Sequence, residues 1–505
     1  MKIKRHLYLW HRWLGIVLCL FMALWFVSGV VMLYVGYPKL TPAEHLARLP
    51  VLDPRTCCIS AADALRASGV EQPPATLRLT SAAGTPRYLL GYADGRSVAV
   101  DARSGGRIER VDAEQALASA RQFDGSVAAH YREQVEEDTW SRSRALDGDR
   151  PLHVVQLDDA EQRLLYISSR SGAVVRDATW NERAWNWLGA WLHWLYAFRD
   201  SNWWTDIVIY LSLAATAMAL LGQVVGVLRW RFSRPYRNGA RTPYSGFARW
   251  HHVGGMLFGL VLIAWIFSGL MSMRPWHLFE NQSTLSLAAY QGGALSAERL
   301  TLAPADVLQR MQQSGVQARE LEWRMLAGTA YLTARDGAGR SRVLALEEEG
   351  GLPLQQLPDE LLRNAARAMQ PEGKQQVAVL QRYDSYYYAR EAQSMYGNQT
   401  RPLPVLQVRF DDPAQTWLYL DPRSGAVVLQ LDASGRSGRW LFNLLHSWDW
   451  QPLLERPLLR EVLIIAFSLG GLAISLTGVV LGWRRLRRQR TANLASAARV
   501  LRQSR

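Results

Sequence analysis

Two apolar stretches, 240 residues apart, begin and end on the same residues. Residues 10–29 read WHRWLGIVLCLFMALWFVSG, and residues 250–269 read WHHVGGMLFGLVLIAWIFSG. Trp10, His11, Gly15, Trp25, Ser28 and Gly29 recur as Trp250, His251, Gly255, Trp265, Ser268 and Gly269. Each stretch is long enough, at ~1.5 Å per helical residue, to cross a hydrocarbon layer of ~30 Å. Two further runs of this kind follow, so four spans are expected at residues 13–36, 206–228, 253–273 and 461–483. Lipid offers no hydrogen bonds to a backbone, so segments of this length and composition must be helices.

The mean hydropathy of the whole chain is nevertheless near zero. The spans must therefore alternate with large water-facing parts. Charge is sorted to match: residues 1–12, 229–249 and 484–505 hold 18 Lys or Arg, and all 44 Asp and Glu lie elsewhere. Basic residues clustered at span ends are the positive-inside signal, which places both termini and the middle loop in the cytoplasm. That position argues against a nucleic-acid surface, the other common use of Arg clusters. The first span reads as an uncleaved anchor, since its apolar run is long and no small-x-small site follows Tyr34 to Pro38. The adjacent Cys57 and Cys58 lack the geometry that disulfides favour, and no C-x-x-C-H occurs, so covalent haem attachment is not expected.

The parts between the spans alternate strand-like runs with turns. A short helix is expected at 59–68, strands at 75–80, 88–92 and 97–101, and a helix at 112–121. A strand pair follows at 153–158 and 163–168, with a short strand at 171–175. These parts also repeat: Asp158-Asp159, Tyr166 and SGAVV at 171–175 return 253 residues later as Asp411-Asp412, Tyr419 and SGAVV at 424–428. Ahead of the second and fourth spans lie tryptophan-rich stretches at 180–204 and 439–457, in which Trp187 and His193 match Trp440 and His446. Trp favours the membrane interface, so an amphipathic helix lying on the outer face is expected before each span. The expected order is a cytoplasmic N-terminus with the first span (1–36), an outer region (37–179), and an interfacial helix with the second span (180–230). A cytoplasmic loop (231–249), the third span (250–273) and a second outer region (274–438) follow. An interfacial helix with the fourth span (439–483) and a basic cytoplasmic tail (484–505) complete it.

Of ten histidines, four repeat in register: His11 with His251, and His193 with His446. The first two open spans on the cytoplasmic side; the other two precede spans on the outer side. Two packed halves would hold one facing pair at each level. Facing neutral imidazoles suit the two axial positions of a b-type haem, so two haems are expected. Gly15, Gly254 and Gly255 near the inner pair, and Gly189 near the outer pair, would leave room for a ring. His252 is an alternative to His251, and His6 a weaker inner candidate. The competing readings are interfacial anchoring and, for glycines such as Gly222, Gly226, Gly478 and Gly482, helix packing alone. Zinc lacks further ligands at suitable spacing.

Several motifs together resemble the PepSY-associated transmembrane family. They are Trp10-His11-Arg12-Trp13-Leu14-Gly15, the span end from Trp25 to Gly29, and Asp384-Ser385-Tyr386-Tyr387-Tyr388. Leu403 to Val408 (LPVLQV) and Tyr419 to Gly425 (YLDPRSG), leading into Leu444-Leu445-His446, complete the set. The resemblance implies a membrane α-helical protein of four transmembrane helices with a two-fold internal repeat and periplasmic α+β PepSY-like modules. It also implies an inner-membrane, di-haem reductase of ferric siderophores, with His11, His251, His193 and His446 as axial ligands. The chain departs from the pattern at Asp138-Thr139-Trp140, where the second half has its tyrosines. No nucleotide fingerprint appears, so electrons would come from a membrane quinol or a cytoplasmic reductase. His130, His153, His277 and Tyr386 to Tyr388 are further outer candidates with ordinary structural readings. The alternatives are a membrane-tethered PepSY binding module without redox activity and, less well supported, a transporter, since the spans lack deep charges for a polar pathway.

Overall fold

The computed structural model describes residues 2–347 and 350–503; Arg505, at the end of the basic tail, lies outside the described residues. The chain forms two units. One comprises Met1–Gly36, Trp185–Glu280 and Ser434–Arg505, and the other Tyr37–Ala184 and Asn281–Ala433.

The first unit is built on four helices long and apolar enough to cross a membrane: Lys2–Tyr34, Trp204–Arg229, Gly246–Ser272 and Pro457–Gln503. They pack in a ring, first against second, second against third, third against fourth, and fourth against first. Leu18, Met22, Phe26, Ala215, Met218, Ala219, Leu262 and Ile266 fill part of the interior, while Leu20, Leu213, Leu257, Leu260 and Leu469 face outward, as lipid contact requires. Small residues let the helices close up, so that Phe258 and Phe26 lie directly over Gly470 and Gly471. The helices overrun the expected spans. The first begins at Lys2 and the third at Gly246, so His11 and His251 lie within helices rather than at their starts.

The expected outer amphipathic helices are present but end early: Trp180–Leu188 in the first half, and in the second a helical segment from Ala433 to Ser447 that is π-helical in its middle. After the helix ending at Leu188, Gly189 takes a non-helical conformation, Ala190–His193 makes one turn, and Leu195 turns left-handed at φ 53°. In the other half a π-helical stretch, Arg439–Leu444, leads into Leu445–Ser447, and Trp448 turns left-handed, also at φ 53°. Each outer histidine thus stands two residues before a sharp reversal that no amphipathic pattern announces.

The second unit is α+β. Its largest sheet runs in the order 341–345, 329–335, 320–326, 76–82, 85–91, 97–101 and 107–108. Strands 76–82 and 320–326 pair antiparallel in its middle, Leu77 opposite Trp323 and Leu79 opposite Leu321. Sequence segments from the two halves therefore share one sheet and one core, which includes Leu77, Leu79, Tyr88, Leu321, Trp323 and Leu332. Two four-stranded sheets complete the unit, one of strands 129–135, 152–157, 164–168 and 174–178, the other of 375–380, 405–410, 417–420 and 427–431. Helices Ala61–Ala67 and Ala113–Phe123 stand where they are expected, capped by Ser60 and by an Asp112/Gln115 capping box. Cys57 and Cys58 are joined by a disulfide, which corrects the expectation that adjacent cysteines lack the geometry to bridge.

Because the large sheet is continuous, damage on one side should reach the other. Trp323→Ala should cost about 3–5 kcal/mol by opening a core cavity. Limited proteolysis of the full chain in detergent should then cut the 76–108 strands as readily as the 320–345 strands. Cleavage confined to the second group would contradict the shared sheet.

Candidate cofactor site: two facing histidine pairs

The packing of the ring brings His11 on the first helix opposite His251 on the third, with ring centres 6.3 Å apart. His193 and His446, each on a short outer helix, face each other at 6.0 Å. Each imidazole is held from behind through Nδ1. The Nδ1 of His11 lies 3.1 Å from the Met218 carbonyl, and that of His251 lies 3.1 Å from the Ile474 carbonyl. A carbonyl only accepts, so both Nδ1 atoms carry the proton. The outer pair uses serines instead: Ser28 Oγ is 3.0 Å from His193 Nδ1, and Ser268 Oγ is 3.1 Å from His446 Nδ1. Each serine hydroxyl donates its one proton to a carbonyl one turn back, that of Trp25 at 3.1 Å and Trp265 at 2.9 Å. At His446 the Trp265 carbonyl, 3.3 Å from Nδ1, puts the proton on that nitrogen; at His193 the Ser28 hydroxyl, turned to Trp25, can accept from Nδ1 in the same way.

His11, His251 and His446 thus carry the proton on Nδ1 and a bare lone pair on Nε2, and the Ser28 contact suits the same tautomer at His193. Among the described residues no hydrogen bond is made by any of these Nε2 atoms. A histidine tethered through Nδ1–H with Nε2 left free is the arrangement that a metal-ligating imidazole takes. Withdrawal from water, and next the facing His446, hold His193 down at about 3; burial lowers His446 as well. Both outer rings are therefore neutral at physiological pH, as ligation requires.

Glycines form the seats. A Cβ at Gly222 would stand 2.6 Å from Cε1 of His11, and one at Gly478 would stand 3.3 Å from Cε1 of His251 and 2.5 Å from Cys19 Sγ. Gly29 and Gly269 lie under His193 and His446, where a Cβ would be 3.7 Å from each Cε1. The expectation that Gly222 serves helix packing alone is thus corrected: a side chain there would push His11 out of place, whereas one at Gly478 would press first on Cys19 and only crowd His251. Open space lies elsewhere. One turn beyond His251, a Cβ at Gly255 would meet nothing within 4 Å, and one at Gly15 would meet only two sulfur atoms, each at 3.8 Å. Gly254 is filled by Ile474 and Gly189 by Val31.

The remaining candidates do not join these pairs. His252 is buried, its Nε2 donating to the Gly226 carbonyl at 2.9 Å and its Nδ1 accepting from Thr242 Oγ1 at 2.6 Å. Both nitrogens are engaged, so His252 pins the 230–245 loop and has no lone pair to offer in place of His251. His6 is exposed. His130 and His277 make exposed pairs with Asp158 and Glu280, and His153 is fixed between Tyr131 and the Val111 carbonyl. Tyr387 is core, stacked on Tyr419 at 4.9 Å. The Asp138 departure keeps the local turn: Asp138 accepts from the backbone of Trp140 and Ser141, as Asp384 does from Tyr386 and Tyr387. Sequence reasoning missed Ser28, Ser268, Gly222 and Gly478 as parts of the site. Ser28 and Gly29 had left a signal, since both recur 240 residues on.

Four apolar helices and the β-sheet unit define a multi-pass membrane protein. The chain matches the PepSY-associated TM region over residues 8–337, more than half its length, and belongs to that family. No curated protein matches it.

The seat at Gly222 gives a direct check. Gly222→Ala should lower stability by about 1–3 kcal/mol through overpacking against His11, whereas Gly255→Ala should leave it unchanged or slightly raised. Thermal unfolding of the two variants in detergent separates them, and equal melting temperatures would remove the seat.

Proposed function

We propose that this chain is an inner-membrane b-type haem protein that passes electrons from the cytoplasmic or membrane side to the periplasm. There ferric siderophore takes one electron and Fe(II) leaves its chelate. The observation that carries this reading is that four histidines, each anchored through Nδ1, face one another in two pairs with Nε2 unengaged.

The spacing supports it. Two imidazoles on opposite sides of one metal ion have ring centres about 6.4 Å apart, from ~2.0 Å for the metal–nitrogen bond and ~1.2 Å from nitrogen to ring centre, against about 5 Å at a tetrahedral angle. The separations of 6.3 and 6.0 Å lie nearer the opposed arrangement. Among the described residues no three His, Cys, Asp or Glu side chains come together as a metal site. A pair of opposed imidazoles with no further ligands suits a cofactor that brings its own equatorial donors. His11 and His251 would hold one haem, His193 and His446 a second; bound there, haem supplies a one-electron couple.

The residues of the chain do the rest. Met218, Ile474, Ser28 and Ser268 fix the ring orientations and keep the ligating nitrogen deprotonated. Gly15 and Gly255 leave the adjoining face open. The two levels stand apart: His193 rests on Gly29, 18 positions along the same helix from His11, a rise of about 27 Å at ~1.5 Å per residue. That distance spans the hydrocarbon layer, as a conduit between its two faces needs. The serine tethers Ser28 and Ser268, 240 residues apart on the first and third spans, and the carbonyl tethers Met218 and Ile474 on the second and fourth also support a two-fold internal repeat. The basic ends of the spans support cytoplasmic termini. Siderophores grip Fe(III) through hard oxygen donors and hold Fe(II) weakly, so one electron suffices for release. The donor on the inner side would be a quinol or a cytoplasmic reductase.

An optical spectrum of purified protein, oxidised and then dithionite-reduced, tests the reading. About two haems per chain are expected. His193→Ala or His446→Ala should remove one spectral component, and His11→Ala or His251→Ala the other. Reduction of ferric siderophore should fail in all four. A colourless protein, after expression with ample haem, would overturn the proposal and favour a PepSY binding module that captures a periplasmic partner.

A further inference from the structure

Trp25 and Trp265 stand at matching positions on the first and third spans, yet their indole N–H groups are served differently. Trp25 Nε1 donates to the His193 carbonyl at 3.1 Å. Trp265 Nε1 is closed off from solvent and, among the described residues, meets no acceptor. An indole nitrogen only donates. Such a donor, buried and unmet, is costly, and the membrane interior holds no bulk water to meet it. A local remedy exists, since in the first half the carbonyl of a paired histidine takes this same N–H. The second half leaves that remedy unused.

Trp265 borders the outer histidine pair. Its carbonyl lies 3.3 Å from His446 Nδ1 and accepts at 2.9 Å from Ser268, the serine behind that ring. Its indole has Phe26 of the first span at 5.9 Å and Trp448, two residues after His446, at 5.7 Å. It also packs against the interior cluster that holds Leu18, Met22, Leu262 and Ile266. The unmet N–H is therefore inside the ring of helices and beside the outer site.

We propose that the Trp265 indole N–H is kept for the outer cofactor: it donates to a carboxylate of the haem held by His193 and His446, and so turns the carboxylate edge of the ring toward the third span. The proposal rests on the haem reading above. The edge of a b-type haem carries methyl groups, vinyl groups and carboxylates, and of these only the carboxylates accept a strong hydrogen bond. A charged acceptor makes the bond stronger than one to a carbonyl. Trp25 is already engaged, so the contact is made from the third span alone. The outer site then has two matching histidine tethers but one cofactor-binding tryptophan.

The test compares two iron porphyrins in the full-length chain in detergent, produced without haem. One is haem; the other is iron etioporphyrin, which keeps the iron and the ring nitrogens and has no carboxylate. Optical titration follows the outer component, the one missing from His193→Ala. In Trp265→Phe the outer-site affinity for haem should fall about tenfold. Affinity for iron etioporphyrin should stay within about twofold of the unmodified protein. Trp25→Phe breaks a bond within the protein and should weaken both porphyrins alike. An equal loss of both porphyrins in Trp265→Phe, as expected if the ring only packs or its N–H meets a water, would overturn the proposal. So would no loss of either, or a haem-specific loss as large in Trp25→Phe. Should Trp265→Phe fail to fold, Trp265→Leu carries the same contrast between the two porphyrins. Failure of the unmodified chain to bind either porphyrin would instead overturn the functional reading itself.

Discussion

An imidazole inside a membrane protein has two nitrogens to serve, and neither can be left to water. Everything around the four paired histidines follows from how one of them is served. Nδ1 meets a carbonyl at the inner level, joined at His251 by the Thr477 hydroxyl, and a serine hydroxyl at the outer level, joined at His446 by the Trp265 carbonyl. Leaving such a donor unmet would cost about 1–3 kcal/mol, and more where lipid excludes water. Once Nδ1 is tied to a neighbouring helix, the ring is held in place and Nε2 is left unengaged. The glycine at 222 is then required, because the tether draws the His11 ring onto the backbone of the helix that supplies the carbonyl; at 478 Cys19 presses closer than the His251 ring. The reversals at Leu195 and Trp448 are required for a different reason. They end the short helices soon after His193 and His446, so that the chain can turn into the next span.

Much of this was legible in the sequence. The four spans, the sorting of charge and the pairing of His11 with His251 and His193 with His446 all come from patterns written along one chain: length, composition and offset. What stayed hidden depends on two segments meeting. Gly222 and Gly226 look like any small-xxx-small pair, since periodicity reports a helix's own face and not which side chain will land on it. His252 sits next to His251, and only the 100° step between adjacent helical residues, with Thr242 and Gly226 waiting on its side, separates a loop pin from a candidate ligand. The outer helices were overcalled for a related reason. Their tryptophans do favour an interface, but Gly189 and the left-handed residues break the helix at points where no Pro stands.

The shared sheet is a further case. Alternation identified most strands of the first outer region, yet nothing in either half marks strand 76–82 as the partner of 320–326. Two similar modules, each with a free edge, would be exposed to pairing with other chains. Joining the edges inside one molecule satisfies both and merges two small cores into one. A duplicated sequence therefore need not give two independent domains, and the halves are bound to each other in the sheet as well as in the helix ring.

Matching tethers and unmatched surroundings occur side by side. Ser28 and Ser268 stand behind His193 and His446 in the same way. Yet the turn that carries His446 is bordered by the buried Arg439, Asp449 and Arg460, whereas the positions 253 residues earlier are Asn186, Tyr196 and Ile207. A duplicated histidine seat is thus held in common by geometry while the side chains behind it have diverged, because the seat needs only the hydroxyl and the glycine beneath the ring.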